Sequence, residues 1–179
     1  MTEAGTVYGQ ALYDLAKSEN LDAEILSQLT VLEQSFQEEP EFLRLLRSPS
    51  LSKQERCQIL DNSFRGKLHP YVLNFLKILT EKGYPRHFPH CVATYRKSYH
   101  IDHNILPVTA VTAVALTGEQ TGKLQSKLCS LTGKTVELYN RIDPGILGGV
   151  RLDYDGQRLD DTILHRLDAV RNLLKNTVL

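Results

Sequence analysis

Asp143-Pro144-Gly145-Ile146-Leu147-Gly148-Gly149-Val150-Arg151-Leu152-Asp153-Tyr154-Asp155-Gly156 is the stretch that decides the fold, and Arg158-Leu159-Asp160-Asp161-Thr162-Ile163 follows closely. Pro144-Gly145 reads as a turn, Val150, Leu152 and Tyr154 alternate as a strand does, and Asp155-Gly156 is a second turn. Two adjacent glycines inside a strand weaken it, so Gly148-Gly149 predicts a bulge, a bend or a close backbone approach. Asp160 or Asp161 is expected to cap a closing helix whose stripe is Ile163, Leu167, Val170 and Leu174. The run lacks the parts of a ligand loop. No Gly-Lys-Ser/Thr follows the glycines, no GxGxxG opens a helix, and the aspartates lack the terminal glutamate of a calcium loop.

Upstream, residues 105–116 are rich in Val, Thr and Ala and read as a mostly buried strand. Thr117-Gly118-Glu119-Gln120 fits a capping box before a helix with Leu124, Leu128 and Leu131 on one side, ended by Gly133. Val136, Leu138, Asn140 and Ile142 then alternate. The order is strand, helix, strand, strand, helix.

The first hundred residues have helical periodicity instead. Val7, Ala11 and Leu15 share a face with Tyr8 and Leu12 beside them, and Ile25, Leu29, Leu32 and Phe36 form a stripe that Asp22 is placed to cap. Pro40 opens a short turn, Ser52-Lys53-Gln54-Glu55 is a capping box, and Pro70 suits a first helical position before Val72, Leu73, Phe75, Leu76, Ile78 and Leu79. Phe88, Val92, Tyr95 and Tyr99 give a last stripe. The expected fold is a six-helix N-terminal bundle, residues 1–104, followed by a small βαββα domain, residues 105–179. In the first helix and the fifth the apolar arc is wider than one core contact needs, which leaves a groove for another helix.

Composition excludes several classes. Lys+Arg and Asp+Glu are both 21, and the balance is regional: 12 basic and 13 acidic residues up to position 104, then 9 and 8. Neither part has the basic footprint of a nucleic-acid binder. The uncharged run at 105–118 falls short of the roughly 20 residues of a spanning helix. Three dispersed cysteines (Cys57, Cys91, Cys129), no Asn-x-Ser/Thr site and no signal peptide predict a reducing, cytosolic setting with buried, inert thiols.

The strongest candidate for chemistry is residues 87–103, with His87, His90, His100, His103, Cys91 and Asp102. These are zinc-ligand types, but a helix between the two clusters separates them by about 14 Å, and each alone is short of four ligands. The expectation is no catalytic residue, no metal and no cofactor. A metal- or nucleic-acid-binding adaptor is the alternative function.

Tyr8-Gly9-Gln10-Ala11-Leu12-Tyr13-Asp14-Leu15-Ala16, the Gly148-Gly149 stretch and Asp160-Asp161-Thr162-Ile163-Leu164-His165-Arg166-Leu167 together resemble one family, over nearly the whole chain. It is the delta subunit of bacterial and chloroplast-type F1Fo ATP synthase, whose mitochondrial counterpart is the oligomycin sensitivity-conferring protein. The first motif is similar to an aromatic, a small residue, then Ala-Leu-aromatic-x-x-Ala. The second resembles Asp-x-x-(Leu/Ile)-x-Gly-Gly-x-x-(Ile/Val), and the third Asp-x-Ser/Thr-hydrophobic-x-x-x-Leu. The family often has Gly, Ala or Leu where Asp161 stands and Ser at Thr162.

The resemblance implies a non-catalytic stator subunit, peripheral at the cytoplasmic face of the cell membrane. It would link the top of the F1 alpha/beta hexamer to the peripheral b stalk and resist torque during proton-driven ATP synthesis. It also implies partners: the N-terminal helix of an alpha subunit, gripped by the first and fifth helices, and the C-terminal ends of b subunits. No nucleic acid and no direct membrane insertion are expected. Carried over by position, the alpha-facing candidates are Tyr8, Ala11, Leu12, Leu15, Val72, Phe75, Ile78 and Leu79. Gly148, Gly149, Asp160 and Thr162 mark the family motif and a possible stalk contact.

Overall fold

A computed structural model describes residues 3–48, 50–146 and 148–162. The fold is mixed α/β, with seven α-helices and one four-stranded mixed sheet among those residues. The chain divides into two compact units, residues 1–101 and 102–179.

The first unit contains α1 (Glu3–Ser18), α2 (Asp22–Glu38), α3 (Pro40–Leu45), α4 (Lys53–Phe64), α5 (Pro70–Glu81) and most of α6 (Phe88–Asp102), with a 3-10 turn at Pro85–His87. Local chemistry sets the helix starts. Glu55 N–H donates to Ser52 Oγ at 3.2 Å while Ser52 N–H donates to Glu55 Oε2 at 2.7 Å, a complete capping box. Proline opens α3 and α5. Asp22 does not cap α2. Leu21 holds the cap position without a side-chain bond, and Asp22 is the first helical residue, where its charge suits the helix dipole. Its carbonyl accepts the Tyr95 hydroxyl at 2.9 Å.

One core gathers Tyr13 and Ala16 from α1, Ile25 and Leu29 from α2, Leu60, Val72, Leu79, Val92 and Tyr95. Each such aliphatic side chain contributes about 1.5–3 kcal/mol by leaving water. Tyr13 and Tyr95 meet edge to face at 5.2 Å, and Phe36 stands between Phe42, Phe64 and Phe88.

The structure fixes the rotation of α1, which the wide apolar arc of the sequence leaves open. Its buried face is Gly5, Gly9, Leu12, Tyr13 and Ala16, while Val7, Ala11 and Leu15 are exposed. The glycines decide this. A Cβ on Gly9 would stand 2.5 Å from the Cys91 carbonyl oxygen and 2.9 Å from Thr94 Cβ, and one on Gly5 would meet the His90 ring at 2.3 Å. Helix α1 therefore lies backbone-close on α6, pinned also by Ser98 Oγ donating to Gln10 Oε1 at 2.7 Å.

The second unit contains β1 (Ile105–Thr112), α7 (Gly118–Thr132), β2 (Thr135–Ile142), β3 (Val150–Tyr154) and β4 (Gln157–Asp160). Sheet order is β2-β1-β3-β4, with β1 parallel to β2 and antiparallel to β3. Crossover through α7 is what permits the parallel pair. Thr117 and Gln120 form the second capping box, and Gly133 at φ +67° ends the helix in the left-handed region. Leu106, Val108, Ala110, Val136 and Leu152 are buried beneath Leu124 and Leu128.

Two expectations change here. Strand β1 stops at Thr112, whose hydroxyl turns back to the Val114 carbonyl at 2.7 Å. The strand β4 is additional: Asp155 and Gly156 have φ of +45° and +75°, so the turn closes a hairpin and residues 157–160 pair with β3. The described order is thus βαβββ, and the expected closing helix over Ile163, Leu167, Val170 and Leu174 lies outside the described residues.

Replacing Gly9 by Ala should destabilise the protein. Helix propensity gains about 1 kcal/mol, but overpacking against α6 costs about 1–3 kcal/mol. Gly122→Ala on α7, where no atom lies within 4 Å of a new Cβ, should instead stabilise by about 0.5–1 kcal/mol. Chemical denaturation of the two variants checks the opposite signs.

Candidate functional site

Helix α1 presents an apolar stripe to solvent. Val7 is 63% exposed and Leu15 42%, with exposed Ala11 between them. The four-residue spacing stacks the three on one line along the helix. Tyr8 borders the stripe, half-buried, its ring 6.5 Å from that of Tyr84, which follows the end of α5. Tyr84 is held there by its N–H donating to the Leu79 carbonyl at 2.8 Å.

The eight residues singled out for this surface separate into two sets. Ala11, Leu15 and Ile78 are exposed and Tyr8 is partly so, whereas Leu12, Val72, Phe75 and Leu79 are core side chains. On α5 only Ile78, 44% exposed, brings an aliphatic side chain to the surface. Val7 and Tyr84 were not singled out. The signal for Val7 was Gly5 and Gly9, four residues apart, which mark the seated face and so identify the free one.

The motif residues of the second unit come together. The glycine pair stands just before β3, not inside a strand. Gly149 has φ +86°, and a Cβ there would lie 2.5 Å from the Asp161 carbonyl oxygen and 2.9 Å from Thr162 Cα. Asp161 N–H donates to the Val150 carbonyl at 3.2 Å. Asp160 Oδ1 takes both the N–H of Thr162, at 3.0 Å, and its hydroxyl, at 2.7 Å, and Thr162 is buried. Gly149, Asp160 and Thr162 thus form one backbone junction. Asp143 caps the preceding turn, its carboxylate accepting the Gly145 N–H at 3.0 Å, and seats buried Ile146.

The histidine segment assembles nothing comparable. His90 packs on α1, its Nε2 3.3 Å from Thr6 Oγ1, while His87 lies against Tyr84. Among the described residues no group of three or more His, Cys, Asp or Glu is placed to hold a metal ion. Burial pushes the Cys91 thiol up to about 11 and raises that of Cys57, which also faces Glu81. Both are thiols at neutral pH, the unreactive form. No described helix is long and apolar enough to cross a membrane.

A helical unit with an apolar stripe turned to solvent, joined to a small α/β unit, defines a docking subunit. The model of the ATP synthase delta (OSCP) subunit family matches residues 5–174. "ATP synthase subunit delta" of Alkaliphilus oremlandii is 32% identical over 93% of both chains, and that of Alkaliphilus metalliredigens 29% over 93% of both. A chain of the Toxoplasma gondii mitochondrial ATP synthase hexamer has the same fold, with a TM-score of 0.74 at 22% identity over 97% of this chain and 98% of that one. The chain belongs to the ATP synthase delta (OSCP) subunit family. It is a non-catalytic structural subunit of the complex.

Gly149→Ala should lower stability by about 1–3 kcal/mol, because its left-handed backbone and the Asp161 contact both oppose a side chain. Thermal denaturation with near-ultraviolet circular dichroism reads this, and Gly118→Ala, where nothing stands within 4 Å of a new Cβ, is the neutral control.

Proposed function

We propose that the exposed stripe of α1 is where this stator subunit grips the top of F1, and that its occupant is the N-terminal helix of an alpha subunit. The observation that carries the reading is the outward turn of Val7, Ala11 and Leu15, with Tyr8 and Tyr84 joining the α1 stripe to the end of α5, where Ile78 is exposed. An amphipathic helix laid along such a stripe presents its own apolar residues at three- and four-residue spacing. Buried Leu12, Val72, Phe75 and Leu79 form the floor that keeps this surface rigid.

In this reading residues 1–104 work as one six-helix bundle facing F1. Residues 105–179 form the domain that meets the C-terminal ends of the b subunits, with Gly148 and Gly149 shaping it. The subunit is peripheral, at the cytoplasmic face of the cell membrane. Rotation of the central shaft loads the catalytic hexamer with torque, and the stator holds that hexamer through this joint. Covering Val7, Leu15 and Ile78 contributes about 1–2 kcal/mol each before ordering costs are subtracted.

Val7→Asp or Leu15→Asp in the full chain should weaken binding of an alpha N-terminal peptide at least about tenfold, or about 1.4 kcal/mol, with the melting temperature unchanged. Phe75→Asp should instead lower the melting temperature, since it buries a charge. Calorimetry showing wild-type affinity in both stripe variants would rule the surface out.

A further inference from the structure

Strand β2 stands at one edge of the sheet. Its odd-numbered amides turn inward. Thr135 N–H donates to the Asn104 carbonyl at 3.0 Å, and just past the strand Asp143 N–H donates to the Thr112 carbonyl at 2.9 Å. Alternation therefore turns the amides and carbonyls of Val136, Leu138, Asn140 and Ile142 outward. The Val136 carbonyl is taken by Gln125 of α7, whose Nε2 donates to it at 2.7 Å. The outward backbone groups of Leu138, Asn140 and Ile142 have no hydrogen-bond partner among the described residues.

Native sheets blunt such an edge with a proline, a bulge or a very short strand. Strand β2 has eight residues, contains no proline and pairs with β1 without a bulge. Its free edge is flanked by apolar side chains: Tyr139 is 55% exposed and Ile142 54%, on opposite faces of the sheet. On the face away from α7, Tyr139 lies between Glu137 and Arg141, and its hydroxyl donates to the Glu137 carboxylate at 2.9 Å. Arg141 stands 3.8 Å from the Asp153 carboxylate and remains 60% exposed. Charges of opposite sign thus bracket an exposed ring, and they select a pairing strand more than they repel one.

We propose that the free edge of β2 takes up an extended segment of a partner protein as a further, antiparallel strand. Main-chain bonds to Leu138, Asn140 and Ile142 supply the attachment, and cross-strand side chains select the sequence. An acid matches Arg141, an aromatic or β-branched residue matches Tyr139, and a base matches Glu137. The segment therefore reads acid-x-aromatic/β-branched-x-base from its N-terminus. Tyr139 falls at a non-hydrogen-bonded pair, where facing side chains stand closest.

A second copy of the chain does not fit, although β2 itself carries the pattern as Glu137-x-Tyr139-x-Arg141. Helix α7 lies over β2, and Gln125 reaching the outer carbonyl of Val136 makes it overhang the edge. Two-fold pairing would bring two such helices over strands about 5 Å apart, whereas packed helix axes need about 8–10 Å. A bare strand instead meets Gly122 and Cys129, the small residues on the same line of α7 as Gln125. Nothing lies within 4 Å of a Cβ at Gly122, so the space beside it is open. The proposal goes beyond the docking read for α1 and does not rest on it.

The test uses the full chain and an acetylated, amidated peptide copy of residues 135–142, which carries the required pattern. Hydrogen exchange followed by nuclear magnetic resonance should show the Leu138, Asn140 and Ile142 amides unprotected in the free chain and protected with peptide. The amides of Glu137, Tyr139 and Arg141, already turned to β1, should not change. N-methylating the peptide at its leucine or asparagine, whose amides face β2 in this register, should weaken binding at least about tenfold. N-methylation at its tyrosine should leave affinity unchanged. Glu137→Arg with Arg141→Glu in the chain should reverse its preference toward a peptide with the two charges exchanged, with the fold checked by circular dichroism. Unprotected Leu138 and Asn140 amides at about 1 mM peptide, equal loss at all three N-methyl positions, or an unchanged charge preference would overturn the proposal. So would protection that follows dimerisation of the chain in sedimentation velocity.

Discussion

The close approach of α1 to α6 at Gly9 is the constraint on which the exposed α1 stripe, and the docking proposed for it, depends. Only glycine lets the Cys91 carbonyl stand where a Cβ would otherwise be, 2.5 Å away. Once that face is seated, the rotation of α1 is fixed, because residues on a helix keep their angular relation. Leu12, Tyr13 and Ala16 enter the core, and Val7, Ala11 and Leu15 are left facing water. A glycine inside a helix costs about 1 kcal/mol relative to alanine. Here that cost sets which apolar residues of α1 enter the core and which stay exposed.

The same device recurs in the second unit. Gly149 admits the Asp161 and Thr162 backbone, and Asp160 ties the Thr162 amide and hydroxyl together. The glycine pair and the Asp-x-Thr element, read as two family marks, are two sides of one packing contact. That contact serves the domain's own fold. It also fixes the start of β3, and with it the strand that carries Arg151 and Asp153.

Sequence patterns reported some of this well and some of it poorly. Both capping boxes, Pro70 at the start of α5, Gly133 at the end of α7 and the alternation of β2 and β3 were legible, because each depends on residues adjacent in the chain. The rotation of α1 was not, since an apolar arc has a width but no marked centre, and a glycine adds nothing to a hydrophobic stripe while deciding which face can be approached. Asp22 was assigned a cap that Leu21 occupies, because the helix begins one residue earlier than a cap there requires. Strand β4 was missed because Gln157-Arg158-Leu159-Asp160 is too short and polar to alternate, and only pairing with β3 defines it. On α5, Val72, Phe75 and Leu79 were grouped with Ile78 since all are apolar; burial separates them.

The most direct measurement is a methyl-resolved nuclear magnetic resonance titration of the full chain with the N-terminal peptide of the alpha subunit. The account predicts shifts concentrated at Val7, Ala11, Leu15 and Ile78, with the core methyls of Ile25, Leu29 and Leu60 unmoved. Binding that leaves the α1 stripe unchanged and shifts another surface of residues 1–104 would contradict it.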